Sequence, residues 1–182
     1  MSLNLILGPM FSGKSTRLIQ HIRAFKTLEY NILCVKPNID IRYTKDSELC
    51  THNQEKEECI MLPVNGLQTI LGHPDFKSAH VIMIEEGQFF NHLFDVAVHM
   101  MDVDKKKVYI SALNGDSNRQ LFGEIHMLLP YCHHIEWLSA LCKSCKDGTP
   151  GVYSKCKRPL DQQIQVASED VYEAVCLTHY LN

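Results

Sequence analysis

No apolar run in this 182-residue sequence approaches the ~20 residues that a membrane-spanning helix needs. The opening residues, Met1-Ser2-Leu3-Asn4-Leu5-Ile6-Leu7-Gly8, carry no basic stretch ahead of an apolar one, which argues against a secretory leader. Charge of either sign is scarce in net terms. A formal −3 gives no general attraction to nucleic acid or to an anionic membrane. No Lys/Arg-rich stripe interleaves with aromatics, and no internal repeat or low-complexity segment is present. These absences point to a globular chain in the cytoplasm (the host's cytoplasm if the source is viral), with neither membrane nor nucleic acid as partner.

What is present suits one compact domain with a small appendage. Hydrophobic residues make up 45% and charged residues 21%, enough to build a buried core. Ten histidines would make the charge more positive near pH 6. Eight cysteines are scattered through a chain without an export signal, several inside apolar runs. That pattern favours reduced thiols and a metal site over a disulfide framework.

Through the first ~135 residues, strand-like runs alternate with helical periodicity. Leu3 to Leu7 reads as a strand. From Lys14, residues Leu18, Ile19, Ile22 and Phe25 share one helical face. Asn31 to Val35 is a second strand, and Pro37 to Glu58 is polar and reads as a long loop. Leu67 to Leu71 is a short helix stopped by Gly72 and Pro74. Val81 to Ile84 is a fully apolar strand, Leu93 to Met101 a helix and Val108 to Leu113 a strand. Phe122 to Leu129 is a short helix ended by Pro130. Such alternation implies an α/β fold: a mostly parallel sheet flanked by helices. From Ser139 onward, two cysteine-bearing segments bracket a hairpin-like stretch, Thr149 to Val166. At about 44 residues this part is too small for a good core of its own. The expected division is therefore 1–138 and 139–182.

Gly8-Pro9-Met10-Phe11-Ser12-Gly13-Lys14-Ser15 matches the phosphate-binding P-loop, placed between a strand and a helix. Its successive N–H groups can curl around phosphates, and the helix N-terminus adds partial positive charge. Lys14 would reach the β- and γ-phosphates of a nucleoside triphosphate, and the Ser15 hydroxyl would ligate Mg²⁺.

The Val81 to Ile84 strand delivers Glu85 and Glu86 to its C-terminal end, where open α/β sheets bind ligands. One carboxylate would help hold Mg²⁺, and the other could take the proton of an attacking hydroxyl. Cys142-x-x-Cys145 and Cys176-x-x-His179 are two pairs able to close a tetrahedral structural Zn²⁺ site. Cys156 competes for the fourth place.

Together these residues carry a resemblance. Gly8 to Thr16, Asp40-x-Arg42-Tyr43, Cys50-Thr51-His52, Glu86-Gly87-Gln88-Phe89-Phe90, Leu113-x-Gly115 and Arg119-x-x-Phe122-Gly123 contribute to it. So do Leu138-x-Ala140-x-Cys142-x-x-Cys145 and Tyr172-x-x-Val175-Cys176. Nearly end to end, the sequence resembles the type II thymidine kinases, the cytosolic cellular enzymes and their poxviral relatives. The resemblance implies a P-loop NTPase-like domain, a small zinc-binding domain carrying a lasso loop over the nucleoside, and a homotetramer. It implies transfer of phosphate from ATP, with Mg²⁺, to the 5′-hydroxyl of thymidine or deoxyuridine in pyrimidine salvage.

On the same resemblance, Glu86 is the catalytic base. Gly8, Pro9, Met10, Phe11, Ser12, Gly13, Lys14, Ser15, Thr16, Asp40, Arg42, Glu85 and Gln88 form the ATP side, with Ser15 and Glu85 on magnesium. Met10, Phe89, Leu113, Phe122 and Tyr172 line the nucleoside pocket. The backbone of Gln163, Ile164, Gln165 and Val166 meets the pyrimidine edge.

The sequence departs from the family at Glu85 (usually Asp), Asn114 (Asp), Ser117 (a pocket Phe), Ser139 (Thr) and Val166-Ala167-Ser168 (Ile-Gly-Gly). Those departures motivate a second reading, a kinase of the same fold with altered base preference. A third, a zinc-ribbon nucleic-acid protein with an ATP switch, is opposed by the acidic balance.

Overall fold

The computed structural model describes residues 1–38, 48–50, 56–157 and 171–182, with the backbone alone at 48–50 and 56. Strand β1 (Ser2–Gly8) leads into helix α1 (Lys14–Lys26), then β2 (Ile32–Pro37). A small antiparallel pair, β3 (Glu48–Cys50) and β4 (Lys56–Glu58), precedes β5 (Ile60–Leu62). A 3₁₀ turn over Leu67–Gly72 follows, then β6 (Val81–Ile84), α2 (Leu93–Asp102) and β7 (Lys107–Leu113). Next come α3 (Ile125–Leu128), a 3₁₀ turn at Leu129–Tyr131 and β8 (His134–Trp137).

Six strands form one sheet in the order β5-β2-β6-β7-β1-β8, and every described pairing in it is parallel. The twofold alternation of side chains sorts the core. Leu3, Leu5, Leu7, Leu33, Val35, Ile82, Ile84, Val108 and Ile110 lie on one face against α2 and the Leu67–Gly72 turn. Ile6, Cys34, Val81 and Met83 lie on the other, under Leu18, Ile19 and Ile22 of α1. A central strand covered on both faces has no polar position to spare, which is why β6 reads as an unbroken apolar run. Each fully buried aliphatic of α1 contributes about 1.5–3 kcal/mol relative to exposure. The helix stops where Glu29 adopts a left-handed backbone (φ 57°) and the Tyr30 N–H returns to the Phe25 carbonyl at 3.2 Å.

The parallel arrangement has one consequence for chemistry: the C-terminal ends of β1, β6 and β7 share an edge. That edge carries Gly8, Glu85 and Glu86, and Leu113.

Beyond the sheet, β9 (Ala140–Leu141) pairs antiparallel with β10 (Pro150–Gly151), and β11 (Tyr153–Cys156) with β12 (Tyr172–Val175), before α4 (Leu177–Leu181). Three expectations need adjusting. The polar stretch Pro37 to Glu58 contains the β3–β4 pair. The Phe122 to Leu129 helix shortens to Ile125–Leu128, and Pro130 sits inside the following 3₁₀ turn rather than ending the helix. The short edge strand β8 was not expected, and its apolar residues Ile135 and Trp137 are exposed. No helix of the described residues is long and apolar enough to cross a membrane.

Candidate active site and metal centre

The loop after β1 is shaped by close approach and by handedness. A Cβ on Gly8 would lie 2.6 Å from Ser12 Oγ and 2.7 Å from the Leu138 carbonyl oxygen, so only glycine fits. Phe11 (φ 64°) and Gly13 (φ 82°) take left-handed backbones that turn the chain back into α1. The Pro9 carbonyl accepts from both Ser12 Oγ and Lys14 Nζ, each at 2.8 Å. Lys14 is 6% exposed. Burial lowers its pKa, while the nearby Glu86 and Glu85 carboxylates oppose that shift. The loop lysine and both acids are therefore within electrostatic reach of one another.

The two acids occupy different environments. Glu85 continues the β6 direction, its N–H bound to the Val35 carbonyl at 2.8 Å, and its side chain is buried against the Ser15 hydroxyl. Desolvation, then the Glu86 charge, pushes its pKa up to about 7 despite Ser15, Lys36 and Lys14. Glu86 turns away from the strand with a left-handed backbone (φ 51°, ψ 44°) and stays half-buried. Its carboxylate accepts from Gln88 Nε2, and its N–H lies 3.4 Å from Ser111 Oγ. Gly87 is required beside it, since a Cβ there would come within 2.5 Å of Ile110 Cγ2.

Phe89 and Phe122 meet edge-to-face, centroids 5.2 Å apart, both half-buried. Gln88 Oε1 accepts the Leu113 N–H at 3.1 Å, which joins this aromatic pair's turn to the end of β7. Met10 also lies at this edge, its N–H donated to Ser154 Oγ at 2.9 Å. Tyr172 is buried on β12, opposite Cys156. Burial raises its pKa, with added push from Cys156 and Asp116. Thr16 sits in the first turn of α1. Asp40, Arg42 and the Gln163, Ile164, Gln165 and Val166 segment lie outside the described residues.

Two participants, Ser154 and Asp116, carried no sequence signal. Ser154 is a single buried serine on β11. The buried Asp116 uses Oδ1 to accept the N–H groups of Asn118 and Gln120, both at 2.8 Å, and so shapes the turn before Phe122. Arg119 stacks on Tyr153 and Tyr180, and Tyr180 donates to the Ser117 carbonyl at 2.8 Å. These contacts clasp the cysteine-bearing part onto the sheet. Between the two lies a cleft of about 110 Å³ lined by Asn114, Asp116, Arg119, Val152, Tyr153 and Ser154. It abuts the loop after β1 through Ser154 rather than enclosing it.

Cys142, Cys145, Cys176 and His179 bring one ligand atom each to within 4.8 Å of all the others. Cys145 and Cys176 sulfurs are 3.7 Å apart. His179 Nδ1 lies 3.3 Å from Cys145, 3.3 Å from Cys176 and 3.7 Å from Cys142. A tetrahedral zinc with Zn–S of about 2.3 Å and Zn–N of about 2.0–2.1 Å sets S···S near ~3.8 Å and N···S near ~3.5 Å. The group fits that geometry, with Nδ1 as the ligating nitrogen. Against the upward push of burial, N–H groups of Cys176, Cys145 and Ser144 lower the Cys142 thiol to about 6. Cys156 lies outside the group.

The family described as "Thymidine kinase" matches residues 1–180 of this chain. A thymidine kinase of rice is 33% identical over 182 residues, covering 99% of this chain and 66% of its own length. The thymidine kinase of Yaba monkey tumor virus is 36% identical over 180 residues, 98% of this chain and 93% of its own. Human cytosolic thymidine kinase is 34% identical over 179 residues, 98% of this chain and 72% of its own.

Proposed function

Since this chain belongs to the thymidine kinase family, we propose that it transfers the γ-phosphoryl group of ATP to the 5′-hydroxyl of thymidine or deoxyuridine, in pyrimidine salvage. The observation that carries the reading is the meeting of the loop lysine with both acids, while Ser15 bonds to one of them.

In this reading Gly8 to Thr16 cradle the phosphates, with Lys14 and Arg42 balancing charge on the transferring group and Asp40 beside them. The ribose O5′–Pγ bond forms as the bond from Pγ to the ADP oxygen breaks, and the hydroxyl proton passes to Glu86. The phosphoryl transition state is loose, so placement and charge matter more than basicity. Met10, Phe89, Leu113, Phe122 and Tyr172 line the nucleoside site, and Gln163 to Val166 close over it to exclude water as a competing acceptor.

Ser15 and Glu85 are the residues to hold Mg²⁺. A hydroxyl and a carboxylate are hard oxygen donors, and the raised proton affinity of Glu85 marks a carboxylate short of positive charge. When bound, the ion would neutralise charge on the β- and γ-phosphates. Zinc at Cys142, Cys145, Cys176 and His179 is structural, because four protein ligands leave no open position. Residues 1–138 form the nucleotide-binding part and 139–182 the cover, assembled as a cytoplasmic homotetramer.

Replacing Glu86 with Gln is expected to cut kcat by about 10²–10⁴-fold and change ATP affinity by only a few fold. An unchanged kcat removes the base. A second reading, altered base preference, is favoured by Ser117, whose carbonyl is engaged by Tyr180. A radiolabelled phosphate-transfer screen over the common nucleosides separates the two.

A further inference from the structure

We propose that Gln88 is a positioning residue that fixes the carboxylate of Glu86 by bridging it to the backbone of Leu113, rather than a ligand of the nucleotide phosphates. The proposal rests on the assignment of Glu86 as base and adds a device that holds it.

Polarity decides how the Gln88 amide is oriented. The Leu113 N–H can only donate, so the group 3.1 Å from it is the carbonyl oxygen, Oε1. The other end, Nε2, must then donate, and its partner is Oε2 of Glu86. A flipped amide would set two donors face to face at Leu113 and two acceptors face to face at Glu86. The carboxamide thus spans from the end of β7 to the base with no rotational choice.

Its own backbone is equally restrained. Gly87, packed on Ile110, fixes the start of the Gly87–Phe89 turn. Gly123, with φ +59°, comes so close that a Cβ would lie 2.3 Å from the Gln88 carbonyl oxygen. Gln88 is 3% exposed, unlike the half-buried Glu86. A buried amide whose oxygen is committed to the sheet is poorly placed to follow a phosphate.

Glu86 has three side-chain torsions, and its bond to Ser111 is made by the backbone N–H and does not hold them. Losing the bridge frees the carboxylate to leave the attack line, and misplacement of about 1 Å can cost about 10²-fold in rate. Because the far anchor is Leu113, a residue proposed to line the nucleoside site, one amide ties the base to the pocket wall.

The test uses the full-length, zinc-loaded protein and a double-mutant cycle. Gln88→Met keeps the length and removes both hydrogen bonds. It is expected to lower kcat about 10–100-fold, with KM for ATP and thymidine within about 3-fold of wild type. In a Glu86→Gln background the same change should lower kcat less than about 3-fold, since no base remains to be placed. Gln88→Glu covers the case in which Gln88→Met does not fold. It can still accept the Leu113 N–H but repels Glu86, and it should slow kcat similarly.

A raised ATP KM with normal kcat makes Gln88 a phosphate ligand and overturns the proposal. Full additivity with Glu86→Gln makes it merely structural and also overturns it. Wild-type kcat in Gln88→Glu does the same. If Glu86→Gln alone leaves kcat intact, the base assignment fails first and takes this inference with it, an outcome distinct from the other three.

Discussion

Glu85 should make the protein less stable as pH rises, and replacing it should remove that contribution. Its carboxyl is 8% exposed and holds its proton up to about 7, against an ordinary value of 4.5. The folded state therefore binds this proton more tightly than the unfolded chain. Stability from this group is present below pH 4.5 and is lost as pH climbs through 7. At about 1.4 kcal/mol per pKa unit the full penalty is about 3 kcal/mol, most of which develops between pH 5 and 8. Glu85→Gln preserves shape and can still hydrogen-bond Ser15, but never ionises.

Urea denaturation of both proteins in zinc-containing, magnesium-free buffer, at pH 5, 6, 7 and 8, provides the measurement. The histidines and cysteines titrate in both and cancel in the difference. The variant's advantage should grow by about 2–3 kcal/mol across that range, or roughly 5–10 °C in Tm. Parallel pH curves, or a wild type that is the more stable at pH 8, would refute the argument. The same desolvation gives the Glu85 carboxylate a chemical use. Its unrelieved negative charge is what a divalent cation beside Ser15 would relieve.

Two further outcomes follow from the geometry. Gly123→Ala places a methyl group against the Gln88 carbonyl in a left-handed backbone. It should lower stability by about 2 kcal/mol or more, read as a Tm drop of at least about 4 °C. Chelation of zinc, or Cys176→Ser, should loosen residues 139–182 while the parallel sheet persists. Hydrogen exchange would then rise in β11 and β12 and stay low in β6 and β7, and equal loss in both regions would contradict a separately stapled unit.

The elements with two-sided burial or strict phosphate-loop spelling were legible from residues alone. Val81 to Ile84 appears with the predicted bounds, and the strand before Gly8 and the helix after Gly13 differ by a residue or two. Both zinc pairs also assemble, because a four-ligand site has few spacings that work. What stayed hidden depends on neighbours distant in sequence. Strand β8 alternates, but over only four residues and with its apolar members Ile135 and Trp137 exposed, and β5 is a three-residue edge strand. Gln88 was readable only as part of a motif on the nucleotide side. Its two partners, one two residues away and one on β7, appear only when the strands are side by side. Ser154 gave no sign because one serine on a short strand looks like any other.

The Ser154 contact has a consequence for how this protein can change. The strand that carries Ser154 lies in sequence between the two halves of the metal knuckle, and its hydroxyl accepts the Met10 N–H of the loop proposed to bind the triphosphate. Under the proposed roles, metal binding and nucleotide binding are coupled through this one hydrogen bond. Transplanting the cysteine-rich part onto another parallel-sheet scaffold would have to carry this serine with it to keep that contact.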